Sequence, residues 1–151
     1  MDEITTAVVH IKQLYVENLK QLEVYKRINK NTLTQFNSKI KVLKKQKELF
    51  CRELEAELRK FEKLGVKVLI YPSKLSNFLS AKLNRNDQAT VLITLNHLEN
   101  YLLSEYKYSL SMLNKNGKLY ALLSDQSKDL QTAINKLQDN SFNELQLKVV
   151  A

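Results

Sequence analysis

The sequence predicts an all-α fold, a four-helix bundle in which a long crossover joins the second helix to the third. The chain of 151 residues contains only two glycines and one proline, so turns are few and helix should dominate. Short polar breaks at 29–31 and 114–117 divide two pairs of amphipathic segments, whereas the longer segment 65–86 separates the pairs. A long middle connection of this kind lets helices two and three run parallel.

Each of the four segments has apolar residues at intervals of three and four, which is the period of an amphipathic helix. Thr32 can cap helix two and Gly65 can stop it, while Asn86 or Asp87 can cap helix three. We expect the segment 66–71 to be an extended apolar strap that ends at Pro72, followed by a short helix over 73–83. The helices are expected over residues 3–28, 32–64, from 86 or 87 onward, and 118–139.

We expect one domain over residues 1–140, with 65–86 as the crossover and 141–151 as a loose C-terminal tail that lacks clear periodicity. A hydrophobic content of 44%, with seven Tyr and five Phe, predicts a packed core rather than disorder. No uninterrupted apolar run approaches the ~18 residues of a membrane span. The acidic start at Met1-Asp2-Glu3 predicts no secretion signal, and the single Cys51 provides no disulfide framework, so a reducing cytoplasm is the expected location.

The positive charge of the chain is concentrated in one band. Eight basic residues and no acid lie between Lys26 and Lys47, so this band carries a charge equal to the +8 of the whole chain. Such a band can attract phosphate or an acidic partner, or it can simply be a solvated hairpin tip. Nucleic acid is disfavoured because no aromatic or arginine cluster accompanies the lysines. The basic residues are Lys26, Arg27, Lys30, Lys39, Lys41, Lys44, Lys45 and Lys47.

Four acidic residues, one from each helix, lie on or beside the inward apolar stripes. Glu99 takes a position where a leucine is expected, and Glu23, Glu53 and Asp129 lie beside stripe positions. Buried carboxylates are costly unless they are paired or bind a metal, so convergence of the four would make a dimetal site. The alternative is a polar core in which tyrosine hydroxyls, amides and water satisfy one or two carboxylates.

The histidines argue against an iron or zinc site. Dimetal bundles carry Glu-x-x-His on two helices, but Ala56 and Thr132 stand where Glu53 and Asp129 would need those histidines. Ligation by oxygen alone would favour manganese, magnesium or calcium. We therefore expect no cofactor, with Glu99 satisfied by a tyrosine hydroxyl, an amide or water, and with a divalent metal as the alternative. His97 is expected to be structural or on the surface.

Several short segments resemble a known family. These are Glu23-Val24-Tyr25, the run 50–59 leading to Leu64-Gly65, Asn86-Asp87, Leu98-Glu99-Asn100, Glu105-Tyr106, and parts of 123–137. They are similar to a bacterial ferritin-like four-helix-bundle family of unknown function with rubrerythrin-like, stress-associated relatives. The resemblance covers roughly residues 5–139 and implies a cytosolic, often oligomeric bundle with no demonstrated catalytic activity. The sequence departs from the family at Val24, which replaces a glycine, and in lacking histidine ligands.

The leading functional hypothesis is a non-enzymatic ferritin-like bundle with a structural, interaction or stress-related role and a lost dimetal site. A homo-oligomer or protein partner would contact apolar residues of the strap and the following segment, unless the strap only caps its own bundle. The alternatives are a small helical chaperone or adaptor that binds a partner helix, and a carboxylate-only dimetal-binding protein. The partner-binding candidates are Val68, Leu69, Ile70, Tyr71 and Phe78.

Overall fold

A computed structural model describes residues 2–28, 37–69, 82–83 and 88–150, with the side chains of the last segment described between Ala89 and Gln138. Four long helices make up most of this part of the chain, and none of the described residues forms a β-strand. The all-α prediction is confirmed. The helices are α1 (Glu3–Lys26), α2 (Asn37–Lys63), α3 (Gln88–Met112) and α4 (Lys118–Val150).

Local sequence signals set the start of α1 and the end of α2. Asp2 caps α1, because its carboxylate accepts a 2.6 Å hydrogen bond from the backbone N–H of Thr5. Gly65 ends α2 with φ +85°, a left-handed conformation that strongly favours glycine. The Gly65 and Val66 N–H groups donate to the carbonyls of Glu62 and Phe61 at 2.9 and 3.1 Å, which is the Schellman pattern.

The helices form a bundle in which α1 packs mainly against α2 and α3 mainly against α4, with lesser contacts between α1 and α3 and between α2 and α4. Contacts that fall in reverse order show that α1 and α3 are antiparallel: His10 lies beside Ser109, and Tyr25 beside Glu99. The pairs Lys47–Glu99 and Phe50–Tyr106 instead advance together along α2 and α3. Helices α2 and α3 therefore run in the same direction.

The apolar core consists of two clusters, one toward each end of the bundle. The first contains Tyr25, Ile40 and Leu95 and includes the fully buried Leu83, which precedes α3. The second contains Leu14, Leu54, Leu102, Leu123 and Leu130, all with no exposed surface. All four helices contribute to the second cluster, as the predicted inward stripes require.

The C-terminal end differs from the prediction. Helix α4 continues to Val150, so residues 141–150 are helical rather than a loose tail. The physical reason is that no Gly or Pro interrupts 118–150, and weak amphipathicity alone does not end a helix. The expected caps Thr32, Asn86 and Asp87, the break at 29–31 and most of the predicted short helix 73–83 lie outside the described residues.

Within the described ranges, no helix is both long enough and apolar enough to cross a membrane.

Candidate functional site

A fully enclosed polar site is built around Glu99 of α3. The Glu99 side chain has no exposed surface, and Lys47 of α2 is equally enclosed. The Lys47 ammonium lies 2.7 Å from Glu99 Oε2, and the Tyr25 hydroxyl of α1 donates to Glu99 Oε1 at 2.7 Å. One carboxylate thus joins three helices, and each of its oxygens has a donor. We call Tyr25, Lys47 and Glu99 the buried triad.

Helical spacing explains how a lysine reaches this position. Lys47 lies four residues after Leu43 and three before Phe50, so it continues the inward stripe of α2. Burial, followed by the charge of Glu99 and the hydrogen bond to it, raises the pKa of Tyr25 well above its usual value. The phenol therefore stays protonated and acts as a donor, while the ammonium balances the carboxylate charge.

A second polar layer is centred on the buried Tyr106 of α3. Its hydroxyl accepts a hydrogen bond from Asn18 Nδ2 at 3.1 Å and donates to Gln126 Oε1 at 2.6 Å. Gln126 Nε2 in turn donates to Glu53 Oε1 at 3.4 Å, so the half-buried Glu53 lies at the rim of this layer. Burial is the main cause that raises the pKa of Tyr106. This layer links all four helices through uncharged donors and acceptors and one carboxylate.

A third polar contact pairs the buried His10 with Ser109, whose Oγ lies 3.0 Å from Nδ1. The exposed Tyr108 ring packs beside the imidazole, with centroids 5.5 Å apart. Burial lowers the pKa of His10, and the charge of Glu105 opposes this shift. The imidazole is therefore neutral near pH 7, and the serine hydroxyl beside it is enclosed rather than open to a substrate. His97 lies on the surface, one of its two predicted locations.

The single cysteine is an inert thiol by its surroundings. Cys51 is buried and free, and burial raises its pKa to about 12. Nearby Lys47 favours the thiolate, but this effect is smaller than the effect of burial. The thiolate is the reactive form, so a thiol with this pKa is not a nucleophile at neutral pH.

The four predicted metal ligands do not lie together. Only Glu99 is in the interior; the side chain of Glu23 is 49% exposed and lies 4.0 Å from Lys20, and Asp129 is exposed. Glu23 lies two residues from the inward Tyr25, about 200° away around the helix, which places it on the outer face. Among the residues described, no three His, Cys, Asp or Glu side chains are grouped so that they could hold a metal ion.

The predicted partner surface is described only in part. Val68 is half-buried and packs against the second core cluster, whereas Leu69 is 61% exposed. The packing of Val68 against the core is what we expect of a strap that caps its own bundle. Ile70, Tyr71 and Phe78 lie outside the described residues.

The basic band divides between the interior and the surface. Lys47 is part of the buried triad, while Lys41 and Lys45 are exposed beside an open groove of about 360 Å³ between the end of α1 and the start of α2. Lys44 and Glu48 also line this groove, whose floor is formed by buried residues such as Ile40. The surface charge of the band is therefore lower than the sequence suggests.

The residue that sequence reasoning missed is Lys47, and a signal for it exists. In the sequence of α2 the inward apolar residues Leu43 and Phe50 are seven positions apart, and Lys47 stands between them at helical spacing from both. A lysine there has to be buried and paired, and Glu99 is the acid that replaces a leucine on another helix.

Comparison with known proteins gives no match: no protein-family model, no curated protein and no solved structure matches this chain. The resemblance to a ferritin-like family therefore rests on the short segments alone.

Proposed function

We propose that this protein is a non-enzymatic bundle of ferritin-like topology that acts as a structural or interaction protein through its surface. The observation that carries the proposal is the 2.7 Å contact between the Lys47 ammonium and Glu99. In dimetal bundles, inward carboxylates bind the cations. Here a side-chain ammonium supplies the positive charge at the inward carboxylate.

The energetics of burial support this proposal. Both Glu99 oxygens already accept short hydrogen bonds, one from Lys47 and one from Tyr25. A metal ion at Glu99 would displace the ammonium and leave a buried, unpaired charge, which typically costs about 3–5 kcal/mol. The Lys47 ammonium thus balances the charge of the Glu99 carboxylate without a metal ion.

The helix directions also support the proposed topology. Parallel α2 and α3, each antiparallel to α1, are what a bundle with a long crossover between its second and third helices would have. A role in stress physiology rests only on the family resemblance.

Elemental analysis of protein produced in metal-supplemented medium tests the proposal. We expect no stoichiometric manganese, iron or zinc in the wild type or in Glu99→Gln. Glu57→Gln is the matched control, because Glu57 is a half-buried carboxylate outside the buried triad and is not one of the four predicted ligands. Stoichiometric metal that is lost in Glu99→Gln and retained in Glu57→Gln would refute the proposal and favour the carboxylate-only dimetal protein.

A chaperone or adaptor for a partner helix is the second candidate, because several large apolar side chains are exposed on the helices. Val42 on α2 is 63% exposed and Ile93 on α3 is 56% exposed. A client-binding protein with loose apolar stripes should bind a hydrophobic dye strongly and unfold over a broad temperature range. The self-contained bundle that we propose should show a sharp thermal transition and little dye binding.

A further inference from the structure

Three lysines of α2 line the groove between the end of α1 and the start of α2, which we call the lysine groove. Lys41 and Lys45 are exposed and Lys44 is half-buried. Lys41 is three residues from Lys44 and four from Lys45, so the three side chains extend from the same side of the helix. In the described part of the chain, none of the three lies within ion-pair distance of an acid. Their positive charge is therefore not neutralised by a direct ion pair.

The floor of the lysine groove is apolar. It is formed by Tyr25, Ile28 and Ile40, which are all buried. Glu48 lines the groove one helical turn after Lys44. An anionic group among the lysines would be repelled from the Glu48 end, so a ligand would place its charge near the start of α2. A few charged groups around an apolar floor are typical of a small-molecule site.

The size of the groove favours a small molecule over a macromolecule. Its volume of about 360 Å³ lies within the roughly 300–1,000 Å³ of small-molecule sites. A specific protein partner usually contacts about 20–30 residues on each side, whereas eight described residues line this groove. Nucleic acid is disfavoured, because no arginine is among those eight residues and Tyr25 is too enclosed to stack on a base.

The charge of the groove indicates a ligand with two negative charges. The three lysines contribute +3 and Glu48 contributes −1, so the described lining side chains sum to +2. A phosphate monoester carries about −1.5 to −2 at neutral pH, whereas a carboxylate or a sulfate ester carries a single negative charge. An ammonium binds phosphate as a point charge, so flexible lysine side chains suit this ligand.

We propose that the lysine groove binds a small soluble organic molecule that carries a phosphate monoester. The phosphate lies among the three lysines, and the organic part contacts Ile28 and Ile40. This inference goes beyond the proposed function, because it assigns a ligand to the bundle. The floor is held in place before binding, since Tyr25 also donates a hydrogen bond to Glu99 in the buried triad. A site that is ordered in advance lowers the entropic cost of binding.

Isoleucine-methyl NMR of the full chain, titrated with phenyl phosphate at pH 8, tests the site. The methyl signals of Ile28 and Ile40 should shift, whereas those of Ile11 and Ile134 in the second core cluster should not. Phenyl sulfate has the same ring with a single charge, and inorganic phosphate has the charge without the ring. Each should bind at least about fivefold more weakly than phenyl phosphate.

A pair of double variants separates the groove from the overall charge of the protein. Lys41→Gln/Lys45→Gln should weaken the binding of phenyl phosphate at least about tenfold, because it removes two of the three lysines around the phosphate. Lys63→Gln/Lys67→Gln is the matched control. It removes the same charge from exposed positions at and just beyond the other end of α2, and binding should change by less than about twofold.

Removal of the acid in the groove should have the opposite effect. Glu48→Gln should tighten the binding of phenyl phosphate by about two- to fivefold, because a repelling charge is lost. Glu62→Gln, at an exposed acid near the end of α2, should leave binding unchanged. A gain in affinity cannot come from a destabilised fold, so this variant keeps the test sharp if the lysine variants fold poorly.

Four results would overturn the inference. The signals of Ile28 and Ile40 could fail to move, phenyl sulfate could bind as well as phenyl phosphate, or the two lysine variants could weaken binding equally. The fourth result is binding to vesicles that contain phosphatidic acid without binding to phenyl phosphate, which would identify a lipid surface as the ligand. None of these results depends on metal at Glu99, so each would leave the proposed function intact.

Discussion

Replacing Lys47 with methionine isolates the energetic role of the buried triad. Methionine keeps an unbranched apolar chain but removes the ammonium, which leaves Glu99 fully enclosed with one oxygen unpaired. Removing one partner of a buried ion pair typically costs about 3–5 kcal/mol, because the remaining charge is uncompensated. A domain of this kind has a total free energy of unfolding of roughly 5–15 kcal/mol. Lys47→Met should therefore remove a large fraction of the stability.

Urea denaturation followed by circular dichroism measures this loss. The free energy of unfolding typically falls by roughly 2 kcal/mol per molar urea, so the midpoint of the urea transition should fall by about 1.5–2.5 M. The control is Lys45→Met, an exposed lysine on the same helix, which should change stability by less than about 0.5 kcal/mol. The double variant Lys47→Met/Glu99→Leu should recover most of the loss, because it removes both charges. If Lys47→Met is as stable as Lys45→Met, the argument from a buried, paired carboxylate is wrong.

Three further predictions concern the other polar groups of the core. Burial raises the pKa of Cys51 from 9.0 to about 12, so the stability of the wild type should decline from pH 9 upward, where the thiol of the unfolded chain ionises. In urea titrations at each pH, the stability of Cys51→Ala should decline less steeply. Since burial lowers the pKa of His10 below 6.5, stability should decline as pH falls from 6.5 toward 5, and His10→Gln should flatten that part of the profile. Tyr106→Phe should cost about 1–3 kcal/mol in urea unfolding, because Asn18 and Gln126 lose a buried partner. Tyr120→Phe, at a half-buried tyrosine in the first turn of α4, should be near neutral. A Tyr106→Phe loss no larger than that of Tyr120→Phe would contradict the second polar layer.

Much of the fold could be predicted because its signals are local. Intervals of three and four residues identify the helices and their inward faces, and Gly65 marks the end of α2 through its left-handed conformation. The interior position of Glu99 follows from its place in a leucine stripe, and a tyrosine hydroxyl was one of its expected partners. The end of α4 was predicted too early because weak periodicity was read as a stop.

The composition of the site was harder to predict because it depends on residues distant in sequence. In the sequence Lys47 belongs to a run of lysines that is typical of a surface, and only its pairing with Glu99, 52 residues later, explains its burial. Glu23 and Asp129 lie beside inward positions, but one residue corresponds to about 100° around a helix, which is enough to turn a carboxylate outward. Glu99 is buried because it occupies an inward position of its helix, whereas Glu23 and Asp129 only lie next to such positions and are exposed.

The buried triad joins α1, α2 and α3, and none of its side chains comes from α4. Under native conditions, proteins open in cooperative units whose free energies differ, and amide hydrogen exchange resolves these units. We therefore expect the backbone amides near Tyr25, Lys47 and Glu99 to exchange only when the whole molecule unfolds. The amides of α4, which joins the polar core through Gln126, should exchange through a smaller and less costly opening. The last helix would then be the first part of the bundle to separate from a three-helix unit that persists.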